Sequence, residues 1–396
     1  MLSGPLESVP ILGVSLVDFV WIVVGLLAMF AALSVIVLSM TWLERKVLAR
    51  LQLRLGPTRT GPMGMLQPIA DAIKLILKED IVPSNSERLI FWAAPLIVVI
   101  SAFMIWVTIP GTHAAVVKNL DLGLLYIIAF AVVGILGLIL AGWGSANKYG
   151  TLGGLRAAAQ LISYEIPIIM VVVSMAMLAG SLDIREVVAG QSSYPYLAIQ
   201  PLGLVIFFIA GLAEVGRTPF DIYFAESEIV GGPFIEYSGA HWSVFFLAEY
   251  INTFAIAALV ALLFLGGWSG PWLTGNWDIV WFLLKTYGVL LVVFWIRGTL
   301  PRLRIDQLMA FAWKIMVPLS FLTVVMTAVY LFYDWPAWTL TLMSLAGLLI
   351  VGVVIYRKMM GPANRVAEVW ARQQALRAQT SGSAQSAPTD HQATPT

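Results

Sequence analysis

Cysteine is absent from this 396-residue sequence, so the chain has no thiolate with which to hold an iron–sulfur cluster. Histidine is nearly absent. His113, His241 and His391 are the three, and none falls in a long apolar segment, which leaves no pair for a haem. Such a chain does not carry electrons by itself, and no metal site is expected. Charge is scarce too: Lys, Arg, Asp and Glu make up 11% against 60% hydrophobic residues, which excludes a soluble domain and describes a polytopic membrane protein. No internal repeat stands out, which argues against an inverted-repeat transporter. Nothing in a net charge of +1 calls for a nucleic-acid partner.

What is abundant is hydrocarbon. Segments of about 17–25 apolar residues can span a bilayer. Nine candidates are present: 19–43, 89–110, 122–147, 157–180, 197–213, 243–268, 279–296, 308–333 and 337–356. The expected fold class is all-α, a transmembrane helix bundle of about nine spans within 1–360. A tail follows at 361–396, Ser/Thr/Ala/Pro/Gln-rich and expected to be disordered from about 380. Only Glu7 and Asp18 supply charge before the first run, which argues against a cleaved signal peptide. Nearly all Lys and Arg lie in alternate connections, at 44–88, 148–156, 214–242, around 297–307, and in the tail. Lys118 and Arg185 lie on the opposite side, and Lys285 sits inside a span near its outer end, where it can snorkel. The positive-inside rule puts the N-terminus outside and the C-terminus and large loops on the cytoplasmic side of the plasma membrane.

Glu44–Pro83 is the most informative connection. Leu66, Ile69, Ala70, Ile73, Ile76 and Leu77 recur at helical spacing, with Gln67, Asp71, Lys74 and Lys78 on the opposite face. That pattern describes an amphipathic helix at a membrane surface or under another subunit. An ordinary positive loop would explain the basic residues but not the breaks at Gly56-Pro57 and Gly61-Pro62. Two carboxylates, Glu165 and Glu249, lie inside spans, and Glu214 sits at the inner end of the fifth. An ionised lone Glu costs roughly 2.5–3.5 kcal/mol at a helix centre, so both are expected to face the bundle interior, protonated or paired. At graded depth the three read as a proton path; bonds between neighbouring helices are the plainer alternative.

The connection after the fifth span carries Glu214, Asp221, Glu226, Glu228 and Glu236 against Arg217. Acids so crowded are expected to raise one another's pKa. Gly231-Gly232-Pro233 would let backbone approach a ligand or subunit closely. In the next inner loop Arg297, Arg302 and Arg304 precede Asp306, read as a cap for the helix that follows.

Six ordered motifs, ERKVLARLQLRLGP, MLQPIADAIKLILKEDIVP, NKYGTLGGLRAAAQLISYEIP, EVGRTPFDI, ESEIVGGPFIEYSG and TLPRLRIDQLMAFAWK, carry a resemblance. From about Trp42 to Phe321 the chain resembles the quinone-proximal membrane subunit of respiratory complex I, the NADH:quinone oxidoreductase. The resemblance implies a helical bundle at the heel of a membrane arm, a non-redox core subunit walling a quinone tunnel with peripheral-arm subunits. It implies that Glu44, Arg45, Arg54, Asp71 and Arg217 lie around that tunnel. Asp221, Glu226 and Glu228 would line a polar route away from it, which Glu165, Glu214 and Glu249 would continue toward antiporter-like pumping subunits. Quinone would be the substrate, with FMN and iron–sulfur clusters on partner subunits only.

Four positions depart from the family pattern: Gly216 replaces Asn, Tyr223-Phe224 replace Pro-Glu, and Ala310 replaces Arg. One carboxylate is thereby lost from the acidic loop and two aromatics are gained. A homologous subunit of a ferredoxin-linked quinone reductase or membrane-bound hydrogenase is the alternative, because the electron donor binds other chains. A stand-alone ion transporter is the third reading, opposed by the elaborate inner-face loops.

Overall fold

A computed structural model describes residues 16–113, 116–192, 194–224, 226–270 and 277–353; the side chains of 16–19, 21, 226 and 227 are left aside. The expected tail at 361–396 lies outside the described residues. Two compact units are present, Met1–Thr341 and Leu342–Thr396, and the described part of the second, 342–353, is helical.

In order the helices are α1 (Leu16–Leu51), α2 (Gln67–Leu77), α3 (Arg88–Ile105), α4 (Gly123–Gly144), α5 (Lys148–Ala179), α6 (Ile184–Ala189), α7 (Tyr196–Ile199), α8 (Pro201–Val215), α9 (Glu226–Ile229), α10 (Gly239–Phe264), α11 (Asp278–Thr299), α12 (Ile305–Phe311), α13 (Val317–Phe332) and α14 (Ala337–Val353). A π turn at Ala312–Met316 joins α12 to α13 in one continuous span. Among the described residues seven helices are long and apolar enough to cross a membrane, and α8 and α14 are shorter apolar helices. Those nine places coincide with the nine apolar segments.

Boundaries differ where hydropathy falls but helix propensity does not. α1 runs on through Glu44 to Leu51, because ERKVLARL contains no breaker and the first Gly-Pro comes at Gly56-Pro57. Residues 148–156, expected as a loop, are the first turns of α5. Asn147 caps that helix by accepting the Tyr149 N–H, so the α4–α5 connection is only a tight turn. Arg304, not Asp306, is the N-cap of α12; its backbone N–H donates to Gln307 Oε1, and Asp306 lies within the first turn. His241, expected in a loop, opens α10 and faces Asp80 at 2.5 Å.

α5 and α10 form the centre. α5 packs on α4, α8 and α13; α10 packs on α3, α8 and α11, and α1 closes against α11. Glycine sets the approach of the loop that follows α9. A Cβ on Gly153 of α5 would stand 2.7 Å from Pro233 N, so Gly232-Pro233 lies in close contact with this chain's own helix. Gly153→Ala would gain about 1 kcal/mol of helix propensity, but the atoms it meets are backbone and cannot rotate away. Overpacking costs about 1–3 kcal/mol, so the net effect is expected to be destabilising. The check is a lower thermal midpoint for the detergent-purified protein; an unchanged or higher midpoint would show that the loop yields.

Lys285 binds backbone at the outer end of its helix. Its Nζ donates to the carbonyls of Leu265 (2.6 Å) and Ser269 (2.7 Å), just past the end of α10. The Leu265 carbonyl, at the C-cap, is an acceptor that a helix C-terminus leaves without an intrahelical partner.

Candidate functional site

Glu44 is the hub. The extension of α1 carries it inward while its neighbour Arg45, a hundred degrees round the helix, turns outward. Glu44 is 3% exposed and meets groups from three other elements. Arg217 Nη1, from the loop after α8, stands 3.3 Å from both carboxylate oxygens. Tyr250 of α10 donates its hydroxyl to Glu44 Oε2 at 2.8 Å, and Arg297 in the last turn of α11 pairs with Oε1. Arg217, 2% exposed, also lies 3.2 Å through Nε from Glu249 Oε1 and 4.4 Å over the Tyr250 ring. Buried charge is tolerated only when paired and hydrogen-bonded. Here the charges are paired, two arginines against two carboxylates, with a phenol bonded to Glu44, while Arg217 Nε and Nη2 make no hydrogen bond among the described residues.

A second polar group sits nearby. Glu165 of α5 is buried, with Oε1 unpartnered, and lines a cavity with Glu214 of α8, Asn252 of α10 and Ser101 of α3. Gln160, five residues before Glu165, donates to the carbonyls of Ala213 and Phe220, both at 2.7 Å, fastening α5 to the chain on either side of the Glu214–Arg217 stretch.

The acidic loop is not a crowd of like charges. Asp221 pairs with Arg302 (3.4 Å), Glu228 with Arg156 (2.7 Å), and Glu236 accepts from Asn147 Nδ2 (2.6 Å). Each of these three acids is met by a base or amide from another element, which closeness along the chain could not reveal. Glu226 opens α9, and its side chain is outside the description. Tyr223, a departure from the family pattern, is buried, and burial holds its phenol well above its ordinary pKa. It remains a neutral donor to the Val215 carbonyl at 3.1 Å. Its ring fills the space that a side chain at Gly216 (φ +70°) would need. From Tyr223 a run of ring contacts continues through Phe224 (4.8 Å), Phe234 (5.2 Å) and Phe245 (4.5 Å).

The tunnel candidates of the first loop stand apart from the hub. Asp71 of α2 pairs with Arg45 at 2.5 Å and Lys74 at 3.2 Å. Burial pushes its carboxyl up, but the hydrogen bonds and charge of Arg45 and Lys74 reverse this and hold it below its ordinary pKa. Exposed as these bases are, such pairs are worth only about 0–1 kcal/mol each. Arg54 bonds Gln52 locally at 2.7 Å. α2 rests on α10 and α1, and among the described residues the C-terminal part of its apolar face stays exposed: Ile76 is 68% and Leu77 80% exposed.

Of the residues singled out in the sequence, the fold brings Glu44, Arg217 and Glu249 into one cluster and Glu165 and Glu214 into a second. Sequence reading missed Tyr250, Asn252 and Gln160, which carry no charge to draw attention, and it gave Arg297 no part in the cluster.

The family model described as NADH dehydrogenase matches residues 24–328. The NADH-quinone oxidoreductase subunit designated H from Dehalococcoides mccartyi is 46% identical over 312 residues, covering 78% of this chain and 87% of that protein. The subunit of the same designation from Brevibacillus brevis is 43% identical over 336 residues, 84% and 99% of the two chains. Its counterpart from Geobacillus kaustophilus is 47% identical over 291 residues, 72% and 86%. With the match spanning α1 to α13, this chain belongs to the NADH dehydrogenase family that these membrane subunits represent.

Proposed function

We propose that this non-redox membrane subunit of NADH:quinone oxidoreductase walls the quinone tunnel and passes a charge signal from quinone reduction into a proton route. The supporting observation is the buried hub, in which Glu44, Arg217, Arg297, Glu249 and Tyr250 join α1, α10 and α11 to the acidic loop. Quinone is the substrate; taking up two electrons, it demands two protons. Arg45, Arg54 and Asp71 flank the tunnel entrance, and Arg217 stands between tunnel and route. Asp221, Glu226 and Glu228 begin the route, and Glu249, Glu214 and Glu165 continue it. A change of charge beside Glu44 redistributes protons among these coupled acids.

The exposed part of the apolar face of α2 is where peripheral-arm subunits, bearing FMN and iron–sulfur clusters, seat against this chain; antiporter-like subunits flank the bundle within the bilayer. The basic residues of 44–88 and 297–307 support a cytoplasmic side for those loops, with the N-terminus outside and the C-terminus inside a plasma membrane.

Glu44→Gln tests the reading. It keeps the shape and an acceptor for Tyr250, yet leaves two guanidinium groups facing a neutral amide. Turnover of NADH with quinone is expected to fall about tenfold, the equivalent of 1.4 kcal/mol, with the complex still assembled. Wild-type turnover and proton translocation in that variant would remove the hub from the mechanism.

A further inference from the structure

We propose that Asn252 positions the water chain that carries protons between Glu249 in the hub and the Glu165–Glu214 pair. The inference rests on the proton-route reading above and adds to it an uncharged residue and the place where it acts.

α8 and α10 run antiparallel. A Cβ on Gly211 would lie 2.6 Å from Ile256 Cγ2, while six residues later along the chain Arg217 lies 3.2 Å from Glu249. Glu214 and Asn252 fall midway between those two contacts, one on each helix. On α10, Glu249, Asn252 and Ile256 share one face at three- and four-residue spacing. Asn252, Ala255, Ile256 and Leu259 all line the cavity that Glu165 and Glu214 reach from the other side. The stripe that begins at the buried ion pair therefore runs into the cavity, and Asn252 is its first step.

The cavity leaves about 90 Å³ for the centres of water molecules. Roughly 10–15 Å³ suffices for one water, provided two to four polar partners are at hand. Two acceptors in its lining are buried without a hydrogen-bond partner: Glu165 Oε1 and Asn252 Oδ1. A buried acceptor left unmade costs about 1–3 kcal/mol, which a bridging water removes. Asn252 offers both an acceptor and an NH₂ donor, so it can orient a water toward a carboxylate on either side. In each transfer one carboxyl releases a proton into the chain and another takes one up. The amide exchanges no proton itself.

The test uses the whole complex in inverted membrane vesicles, with NADH and a short-chain quinone. Asn252→Leu, close in size but apolar, is expected to slow proton translocation about tenfold or more. Complex content on native gels and apparent quinone KM should be unchanged, and the solvent deuterium isotope effect should rise. A purely structural role would move neither the isotope effect nor its recovery in Asn252→Gln, which is expected to restore most of the rate. Translocation at the wild-type rate in Asn252→Leu overturns the proposal. Glu214→Gln in parallel separates the two levels: if it alone loses translocation, the route stands without Asn252, and if neither variant loses it, the route has failed as well. Should Asn252→Leu not assemble, Ala131→Leu, which fills the same cavity from α4, decides. Slowed translocation then supports the water chain, and a wild-type rate overturns it.

Discussion

Arg217→Leu is expected to remove most of the assembled protein from the membrane. Breaking a buried ion pair from one side costs about 3–5 kcal/mol, because the surviving charge stays buried without compensation. Here the survivors are unequal. Glu44 keeps Arg297 and the Tyr250 hydroxyl, whereas Arg217 is the base that faces Glu249. The loss should therefore belong mainly to Glu249. Combining Arg217→Leu with Glu249→Gln is expected to recover a large part of the assembled complex, although not its turnover. Arg217→Leu combined with Glu44→Gln should recover much less. The measurement is the amount of complex on native gels across this double-mutant cycle. Equal recovery in both doubles would mean that the charge balance has been assigned to the wrong carboxylate.

Phe224→Glu is the second large effect. It restores the carboxylate that the family pattern carries at this place, and its expected outcome is damage rather than improved coupling. Phe224 is half-buried between the rings of Tyr223 and Phe234. Each ring contact of this kind contributes about 0.5–1.5 kcal/mol beyond area burial. Beside these rings the new carboxyl would titrate above the ordinary carboxylate range, because burial disfavours its charged form. The sign follows from linkage. Below about pH 4 both the folded and unfolded chains bind the proton, and the electrostatic deficit vanishes; as pH rises, the unfolded state alone releases it and stability falls. Thermal midpoints measured from pH 4 to 8 should diverge from wild type with increasing pH. A constant difference would place the new side chain in water.

The places of the helices were legible because a bilayer demands long apolar runs and tolerates little else. Their ends were less so. Hydropathy stops at Leu43, yet the backbone of Glu44–Leu51 keeps its helical hydrogen bonds, and that extension is what aims Glu44 at the interior. The acids of the site announced themselves as charges in apolar sequence. Their partners did not, since Glu44 and Arg297 lie 253 residues apart and Asp221 and Arg302 lie 81 apart. One principle could have narrowed the search: a buried charge needs a partner, so an intramembrane acid that stays ionised implied a base somewhere. Which base is a property of packing, and no single sequence shows packing.

Gly216 and Tyr223 share one volume. The phenol occupies the space in which a side chain at 216 would stand. Substitutions at the two positions are therefore expected to be non-additive: a side chain at 216 meets the ring as long as Tyr223 is in place, and loses that clash once the ring is removed.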